Sequence, residues 1–436
     1  MDNSSSMEHQ PGLRIIALLS CVLGMVAGQY ATAPGFGGYD SKALERVFEA
    51  RNLQLSFPTS EERERVLRAG LYDPGNVVPI DVDVYYTHGD KTPSIFVTIP
   101  RFTKGVPYSL AYVTNEVGEN GTELRAYPSY DWHQSHGADC NGLTSVYRTQ
   151  IDECGRMWIL DSGEIDFVQH CPPQLYALDL ASGGVVHHYR MPKDMYKTGV
   201  SRFVTPTIDL DAHNCEVGHV YMADSIGDGI VVYGMAAQKS WRIENKYTYP
   251  HPDFGTFTIA GESFQLWDGT VALTLTPHGL AGHMERMLYF HSLSSDWQMA
   301  IPLQVVNNAS IWKRNDVSAG LDQFLLLGKR GSQCVAAAMS ETGMLLCGLV
   351  QPTSILAWNI RQAYNHENLS VLIQDQQRLQ FISGLKIVRN HEGKEELWAL
   401  SNRLQKAFGA GLNFKEVNFR IQKCGIHELL HGLPCY

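Results

Sequence analysis

Two histidines near the carboxyl end have the spacing of a zinc-protease helix. In His427-Glu-Leu-Leu-His431 the imidazoles are one helical turn apart, with a glutamate beside the first; on a helix such a pair can bind zinc while the glutamate acts as general base. A working site also needs a third protein ligand, usually downstream, and an open coordination position. Only five residues follow His431, and no long helical pattern precedes it. We therefore predict that the motif is accidental and that no metal is bound.

Other catalytic signatures are missing from the sequence. It contains no Gly-rich phosphate loop after a strand pattern and no Gly-x-Ser-x-Gly elbow, so nucleotide and serine-hydrolase chemistry have no support. Asp161, Asp224 and Asp268 stand at predicted strand ends and are candidate acids. Aspartates at such positions commonly accept hydrogen bonds from backbone amides in turns, which is the role we favour. No cofactor is expected.

The charge of the chain excludes nucleic acid as a partner. The formal net charge is −10 and no basic run occurs among the 436 residues, whereas phosphate binding draws on clustered Lys and Arg.

The first residues read as a secretory leader. Arg14 precedes an apolar run from Ile15 to Ala27, and small residues near Gly28 form a cleavage site before Gln29. We expect residues 1–28 to be a signal peptide and the mature protein to be secreted and extracellular, without a membrane span, because the run is short for a spanning helix. An uncleaved anchor is the alternative.

The cysteines and sequons agree with secretion. Nine cysteines are present, and loss of Cys21 with the leader leaves eight, an even number suited to disulfides in an oxidising compartment. Three sequons predict glycans on surface loops, at Asn120, Asn308 and Asn368.

Two consecutive segments repeat one order of short strands. Each has a cysteine in its first turn, Cys154 or Cys215, and an Asp-Ser pair ending its second strand, at 161–162 or 224–225. A recurring four-strand unit of about 40–60 residues is typical of a propeller blade. Four looser copies cover residues 92–130, 254–306, 323–374 and 379–422. The sequence therefore predicts an all-β, six-bladed β-propeller. Two β-sandwiches are the alternative, but no linker-like stretch divides the chain near its middle.

The remaining segments complete the expected organisation. Residues 29–77 form an N-terminal extension that we expect to be partly helical, since apolar residues at 44, 47 and 48 have helical spacing and 61–68 is charged and helix-favouring. The propeller is expected over residues 78–422, and residues 423–436 form a tail. Pairing of Ile80–Tyr86 with the last blade is expected to close the ring and remove exposed edges.

The blade alignment also predicts disulfides. Cys154 and Cys215 occupy equivalent turns of neighbouring blades and so lie at the same end of their strands. Cys140 and Cys171 both lie at the other end. The pairs are therefore Cys140–Cys171 and Cys154–Cys215, because the other arrangements would span roughly 15–20 Å. The pairing of Cys334, Cys347, Cys424 and Cys435 stays open.

Four long motifs, in order, resemble those of the insect yellow and major royal jelly protein family. They run from Cys140 to Arg148, Asp152 to Gly163, Leu379 to Lys386 and Leu397 to Gln405, and the resemblance extends over about residues 78–422. Phe257 to Trp267 is similar to the g-type yellow subgroup. The resemblance implies a six-bladed propeller with a role in pigmentation or hardening of cuticle or eggshell. Some members are credited with dopachrome conversion, and some salivary relatives bind biogenic amines.

The resemblance also implies a ligand site at the mouth of the central channel. Motif matching carries over Tyr147, Ser383 and Asn402 as ligand-binding residues, and Phe264 is added because its position in its blade is equivalent. Leu404 stands where amine-binding relatives place an aromatic residue, which weakens the amine hypothesis. Packing within the blades accounts equally well for Tyr147 and Phe264.

Three functions follow as hypotheses. The first is a secreted, matrix-associated protein of cuticle or eggshell (chorion or vitelline membrane) that supports pigmentation or cross-linking, with a catechol or amine as its small ligand. The second is an isomerase of the melanin pathway that converts dopachrome, for which His136 is the candidate general base because imidazole titrates near neutral pH; a plain loop histidine is the alternative. The third is an amine-binding module without turnover.

Overall fold

Strands make up most of the regular structure in the computed structural model. It describes residues 44–431, except residues 88, 119, 120, 281, 283, 314 and 315. The leader, residues 29–43 of the N-terminal extension, Asn120 and Cys435 lie outside the described residues. The helices are short: α1 (Ser60–Arg68), α2 (Leu303–Val306), α3 (Leu404–Phe408) and α4 (Ile426–Leu430). None of these helices has the length and apolar character needed to span a bilayer.

Six antiparallel four-stranded sheets form the blades of a propeller. The first strands of the chain are β1 (Glu45–Ala50) and β2 (Gln54–Leu55). Blade 1 consists of β3 (Asp81–Tyr85), β4 (Ser94–Thr98), β5 (Leu110–Gly118) and β6 (Gly121–Ala126), with β2 added in parallel to β6. Blade 2 consists of β7 (Val146–Ile151), β8 (Arg156–Asp161), β11 (Gln174–Asp179) and β12 (Val185–Arg190), and β9 (Glu164–Ile165) and β10 (Val168–Gln169) form a small hairpin between β8 and β11.

The next blades follow the same order from the inside outwards. Blade 3 consists of β13 (Phe203–Asp211), β14 (Glu216–Asp224), β15 (Gly229–Gly234) and β16 (Lys239–Ile243). A separate hairpin follows, formed by β17 (Thr256–Ile259) and β18 (Glu262–Gln265). Blade 4 consists of β19 (Thr270–Leu275), β20 (Met287–Ser292), β21 (Trp297–Pro302) and β22 (Leu325–Lys329). Blade 5 consists of β23 (Cys334–Met339), β24 (Met344–Leu349), β25 (Ser354–Asn359) and β26 (Leu369–Gln374).

The last blade combines both ends of the chain. Its inner strands are β27 (Ile382–Arg389), β28 (Glu395–Ser401) and β29 (Phe419–Gly425), and β1 pairs with β29 as the outermost strand. The innermost strands β3, β7, β13, β19, β23 and β27 contact one another in turn, and β27 contacts β3. The predicted six-bladed all-β propeller is confirmed.

Ring closure differs from the sequence expectation. Residues 81–85 form the innermost strand of blade 1, and closure comes from β1, where Ala50 pairs with Phe419 and Glu45 with Lys423. The prediction of a helix around residues 44–48 was wrong, because residues 45–48 belong to β1. A helix over residues 60–68 is present. Phe48 and Ala50 are both buried, two residues apart as in a strand, and pairing with β29 outweighs the weak helical pattern.

The limits of blade 4 were also predicted incorrectly. Residues 256–265, taken as part of this blade, form the separate β17–β18 hairpin, and β22, taken as part of blade 5, is the outer strand of blade 4. The hairpin alternates apolar and polar residues as a blade strand does, and a long segment from residue 303 to residue 324 separates β21 from β22. The local sequence pattern cannot distinguish a blade strand from a strand of a separate hairpin, since both are short amphipathic strands.

The repeated Asp-Ser pairs stabilise the entry to their blades. The Asp161 carboxylate accepts hydrogen bonds from the amides of Thr144 (2.8 Å) and Ser145 (2.7 Å), just before β7. In blade 3 the Asp224 carboxylate accepts from the amide of Arg202 (2.8 Å), just before β13. Both aspartates are fully buried, so their role is to hold the start of the inner strand against the end of its neighbour.

Three disulfides are present among the described residues. Cys140 pairs with Cys171 (Cα–Cα 5.5 Å), and Cys154 in blade 2 pairs with Cys215 in blade 3 (5.9 Å), as expected from the strand ends. Cys334 pairs with Cys347 across the β23–β24 hairpin (6.0 Å). Cys424 is buried and forms no disulfide with a described residue.

Candidate ligand site at the mouth of the central channel

An arginine closes the central channel. Arg148 on β7 is buried, and its guanidinium donates to Thr205 Oγ1 (2.8 Å) and to the carbonyl oxygens of Val271 (3.4 Å), Val335 (3.0 Å) and Ser383 (3.0 and 3.3 Å). These acceptors belong to the inner strands of blades 3, 4, 5 and 6. Burial lowers the pKa of Arg148. The five bonds use the full donor capacity of a guanidinium, so Arg148 ties five blades together and is not free to bind a ligand.

Below Arg148, a charged group links blades 1, 2 and 6. The Lys386 ammonium lies 2.9 Å from Asp81 Oδ2 and donates to the carbonyl oxygen of Thr149 (2.5 Å). Asp83 Oδ2 accepts from Thr149 Oγ1 (3.1 Å) and from the amide of Ile151 (2.9 Å). Burial raises the pKa of Asp83 to about 6, against the opposing effect of Lys386. Since these groups bond to one another, their role is to hold the inner strands in register.

Aromatic side chains gather above Arg148, at the end of the channel where the inner strands begin, which we call the upper mouth. The Phe102 ring lies 5.4 Å from Tyr147 and 5.5 Å from Phe408, and Phe264 lies 6.2 Å from both Phe408 and Phe381. These five residues are the aromatic cluster. Phe408 on α3 is 39% exposed, so the cluster offers a partly open apolar surface to an aromatic ligand.

A charged group lies beside the aromatic cluster. Arg202 Nε is 2.9 Å from Glu164 Oε2, and the Phe167 ring centroid is 4.8 Å from the Arg202 guanidinium. Asp268, just before β19, interacts electrostatically with Arg202 and with Tyr147. The upper mouth therefore holds two carboxylates against one arginine.

Burial is the main influence on the protonation of these groups. It raises the pKa of the Glu164 and Asp268 carboxyls, and Arg202 opposes the rise in both cases. It also raises the pKa of the Tyr147 hydroxyl above its usual range. A phenol with a raised pKa remains protonated at neutral pH, so Tyr147 is suited to donate a hydrogen bond.

Of the residues expected to bind a ligand, two belong to the aromatic cluster. Tyr147 is buried on the inner strand β7, as expected. Phe264 reaches the cluster from the β17–β18 hairpin, so the assigned position on a blade strand was wrong although the side chain lies at the mouth. The fold brings them together by a route that the strand pattern does not reveal.

The other two expected residues brace the start of blade 6. Asn402 Nδ2 donates to Ser383 Oγ (3.0 Å) and to the carbonyl oxygen of Pro79 (2.8 Å), and its Oδ1 accepts from the amide of Leu404 (3.0 Å). Ser383, Asn402 and Leu404 are all buried. Their polar atoms are used within the protein, and the ligand-binding role of Ser383 and Asn402 stays a prediction.

His136 lies in the segment that joins blades 1 and 2. Burial and the nearby charges of Arg101 and Arg65 lower its pKa to about 3. An imidazole with so low a pKa is a weak proton acceptor at neutral pH. The hypothesis that His136 is a general base stays a prediction, and its surroundings favour the loop role.

The His427–His431 motif lies at the end of blade 6. α4 contains five residues and ends at Leu430, and the two imidazole centroids are 6.1 Å apart. Within the described residues, three potential metal ligands come close together elsewhere, at His291, Cys334 and Cys347. There the two cysteines form a disulfide and offer no thiolate to a metal.

Sequence reasoning missed several residues of the upper mouth. Arg148, Glu164 and Arg202 were not singled out, although Arg202 directly precedes β13 and Glu164 follows the Asp-Ser pair of blade 2. Their nearness to strand ends was the available signal. The sequence did not reveal that these two strand ends, in neighbouring blades, meet in an ion pair.

Comparisons with known proteins agree with the fold and the motifs. Residues 144–435 match the family model described as major royal jelly protein. Over 412 residues the chain is 32% identical to Major royal jelly protein 9 of Apis mellifera, covering 91% of each chain. It is 29% identical over 401 residues to Dopaminechrome tautomerase of Drosophila melanogaster, covering 90% of this chain and 84% of that protein. It is also 28% identical over 403 residues to Protein yellow of Drosophila pseudoobscura pseudoobscura, covering 90% and 68%.

Proposed function

The chain belongs to the major royal jelly protein family, and from this premise we propose that it binds a catechol-derived aromatic molecule at the upper mouth. In this proposal the protein is secreted and supports pigmentation or hardening of insect cuticle or eggshell. Yellow proteins among its relatives and three disulfides support this setting.

The observation that carries the proposal is the aromatic cluster beside the Glu164–Arg202–Asp268 group. Phe264 and Phe408 are partly open to solvent and lie 6.2 Å apart, and a catechol ring packs well against such edges and faces. Hydroxyl groups of the ligand find acceptors in the carboxylates and a donor in Tyr147. An apolar wall with a few convergent polar groups is the usual composition of a small-molecule site.

Calorimetric titration with dopamine tests the binding proposal. Phe408→Ala removes part of the apolar wall and is expected to weaken binding roughly fivefold or more. Phe414→Ala is the matched control, since Phe414 lies in the same β28–β29 loop with the same 39% exposure and is not part of the aromatic cluster. Equal affinities of the two variants, or absence of binding by the wild-type protein, would exclude the upper mouth as the site.

A second candidate function is tautomerisation of an aminochrome. It is favoured by the Glu164 and Asp268 carboxyls of the upper mouth, whose pKa values are raised by desolvation, a direction that suits proton transfer, and by the relative named Dopaminechrome tautomerase. In this reaction a base removes a proton from carbon and a proton is added to a ring oxygen. The electrons stay within the molecule, so no oxidant or reductant is required.

Turnover separates this candidate from binding alone. Dopachrome and dopaminechrome are each incubated with the protein while the loss of their visible absorbance is followed. A rate above the uncatalysed rate that falls in Asp268→Asn supports the enzyme, and loss in His136→Ala would instead support the histidine base. Binding of amines without acceleration identifies a binding module.

A further inference from the structure

The β17–β18 hairpin lies outside the blades and has one apolar and one polar face. Phe257 and Ile259 are buried on its inner face, and Phe264 stacks on Phe257 at 5.3 Å. Because side chains alternate along a strand, the residues between them point to the opposite side. Four residues form that side, which we call the outer hairpin face: Thr256, Thr258, Ser263 and Gln265.

The outer hairpin face presents hydroxyl and amide groups to solvent. Thr256, Ser263 and Gln265 are exposed, and Thr258 is half-buried. Gln265 Nε2 donates to Thr256 Oγ1 (2.9 Å), and the Thr258 and Ser263 hydroxyl oxygens lie 2.9 Å apart. These two cross-strand bonds orient the side chains without using all their donors and acceptors. The face is therefore polar and carries no charge.

A tryptophan continues this face beyond the end of β18. Exposure alternates over residues 262–268, so Ser263, Gln265 and Trp267 lie on the same side of the chain. The indole ring lies against Gly255, where an added Cβ atom would come within 2.8 Å of the ring, so only glycine leaves room for it. The ring is thus held against the backbone while the side chain stays 53% exposed.

We infer that Trp267 and the outer hairpin face bind a neutral polysaccharide with flat sugar rings, of the class of β-linked polymers of glucose or N-acetylglucosamine. The C–H groups on the flat side of such a ring form an apolar surface that packs on an exposed aromatic side chain. The hydroxyl groups at its rim need donors and acceptors, which the threonine, serine and glutamine side chains supply. The row from Ser263 to Trp267 is about 13 Å long, enough for about two to three sugar rings.

The composition of this surface favours a polysaccharide over other large partners. A nucleic acid would need clustered cations, and the outer hairpin face has none. The core of a protein interface would be more apolar than a row of hydroxyl and amide groups around a single tryptophan. The surface is also separate from the proposed catechol site, since Phe264 points to the other side of the hairpin. A polysaccharide on the outer face leaves the upper mouth open.

Co-sedimentation with insoluble chitin and with amorphous cellulose tests the inference and distinguishes the two sugars. The wild-type protein is expected to bind at least one of them and to be released by the soluble hexasaccharide of the same sugar. Trp267→Ala removes the stacking surface and should weaken binding roughly tenfold. Trp267→Phe keeps an aromatic ring and should lie between the wild type and Trp267→Ala. Gln265→Ala removes one polar partner and should weaken binding about threefold.

Phe414→Ala is the control, because it removes an exposed aromatic ring of the β28–β29 loop that is not part of the outer hairpin face. It should bind polysaccharide as the wild type does. Circular dichroism and thermal unfolding establish that each variant is folded. The Kd of Trp267→Ala for dopamine should match the wild-type value, since Trp267 is not part of the aromatic cluster.

The outcomes separate this inference from the proposed function. Retention of the wild-type protein by neither polysaccharide overturns the inference and leaves dopamine binding as it is. Equal retention of wild type and Trp267→Ala overturns the role of this surface. Absence of dopamine binding together with tryptophan-dependent retention removes the proposed function alone.

Discussion

Arg148 on blade 2 donates two hydrogen bonds across the channel to the backbone carbonyl oxygen of Ser383 on blade 6, at 3.0 and 3.3 Å. The two residues are 235 positions apart in the chain. One side chain thus joins blades that are not neighbours in the ring and separates the upper mouth from the charged group below. The buried guanidinium thus occupies the axis of the propeller between its two ends.

Replacing Arg148 should destabilise the whole propeller. Arg148→Met leaves the carbonyl oxygens of Val271, Val335 and Ser383 buried without their donor, and we expect a loss of about 3 kcal/mol or more in the free energy of unfolding. Arg148→Lys has fewer donors and no planar guanidinium, so its free energy of unfolding should lie between those of the wild-type protein and Arg148→Met. Urea denaturation measures the effect. Arg46→Met, at an exposed position on β1, serves as control, and an Arg148→Met variant as stable as this control would contradict the central role.

Asp83 should make stability depend on pH. Its folded pKa of about 6 is raised above the ordinary 3.8, so ionisation opposes folding. The contribution of Asp83 is most favourable below about pH 4 and is lost as the pH rises through 6. Relative to Asp83→Asn, the wild-type protein should lose on the order of 2–3 kcal/mol between about pH 4 and about pH 8.

Denaturation of both proteins across that pH range measures the difference for Asp83. The exposed Asp90, replaced by Asn, controls for the change in net charge. A difference between wild type and Asp83→Asn that stays constant over the range would show that Asp83 ionises as freely in the fold as in the unfolded chain. The groups that face Asp83 are Lys386 and Asp81, and both are present in the wild-type protein and in Asp83→Asn.

The disulfide between blades should contribute more than the one within a hairpin. Cys154–Cys215 closes a loop with a sequence separation of 61 and Cys334–Cys347 one of 13. Chain entropy then predicts losses of about 4 and about 3 kcal/mol when each pair is replaced by alanines. Thermal unfolding compares the two double variants, and peptide mass mapping checks the pairing. A linkage of residue 154 to residue 140 would refute the blade alignment.

Asn308 should carry a glycan when the protein is made in a secretory host. It is exposed after α2, where its side-chain oxygen accepts hydrogen bonds from the amide and hydroxyl of Ser310. Asn308→Gln should lower the mass by one glycan, and Ser310→Ala should do the same because the sequon requires the hydroxyl residue. Intact-mass spectrometry measures both. Unchanged masses would show that this sequon is not used.

Blades 2 and 3 were readable from the sequence, because each is made by strands close in the chain. The Cys and Asp-Ser positions repeat between blades 2 and 3, and this repeat alone was enough to align the strands and to pair Cys154 with Cys215. Short apolar runs with turn residues at their ends are local signals, and β8 and β11 of blade 2 are such runs, buried along nearly their whole length.

The site and the closure of the ring depended on tertiary structure. β1 forms a strand because it pairs with the edge of β29, and Phe264 lies at the upper mouth on a hairpin outside the blades. Arg148 is 187 positions from Val335, so nothing in its local pattern marks it as the centre of the channel. The sequence by itself determined the four-strand units of blades 2 and 3, since those hydrogen bonds are local. Only the closed ring decided which side chains meet at its axis, since that depends on the rotation from blade to blade around the whole circle.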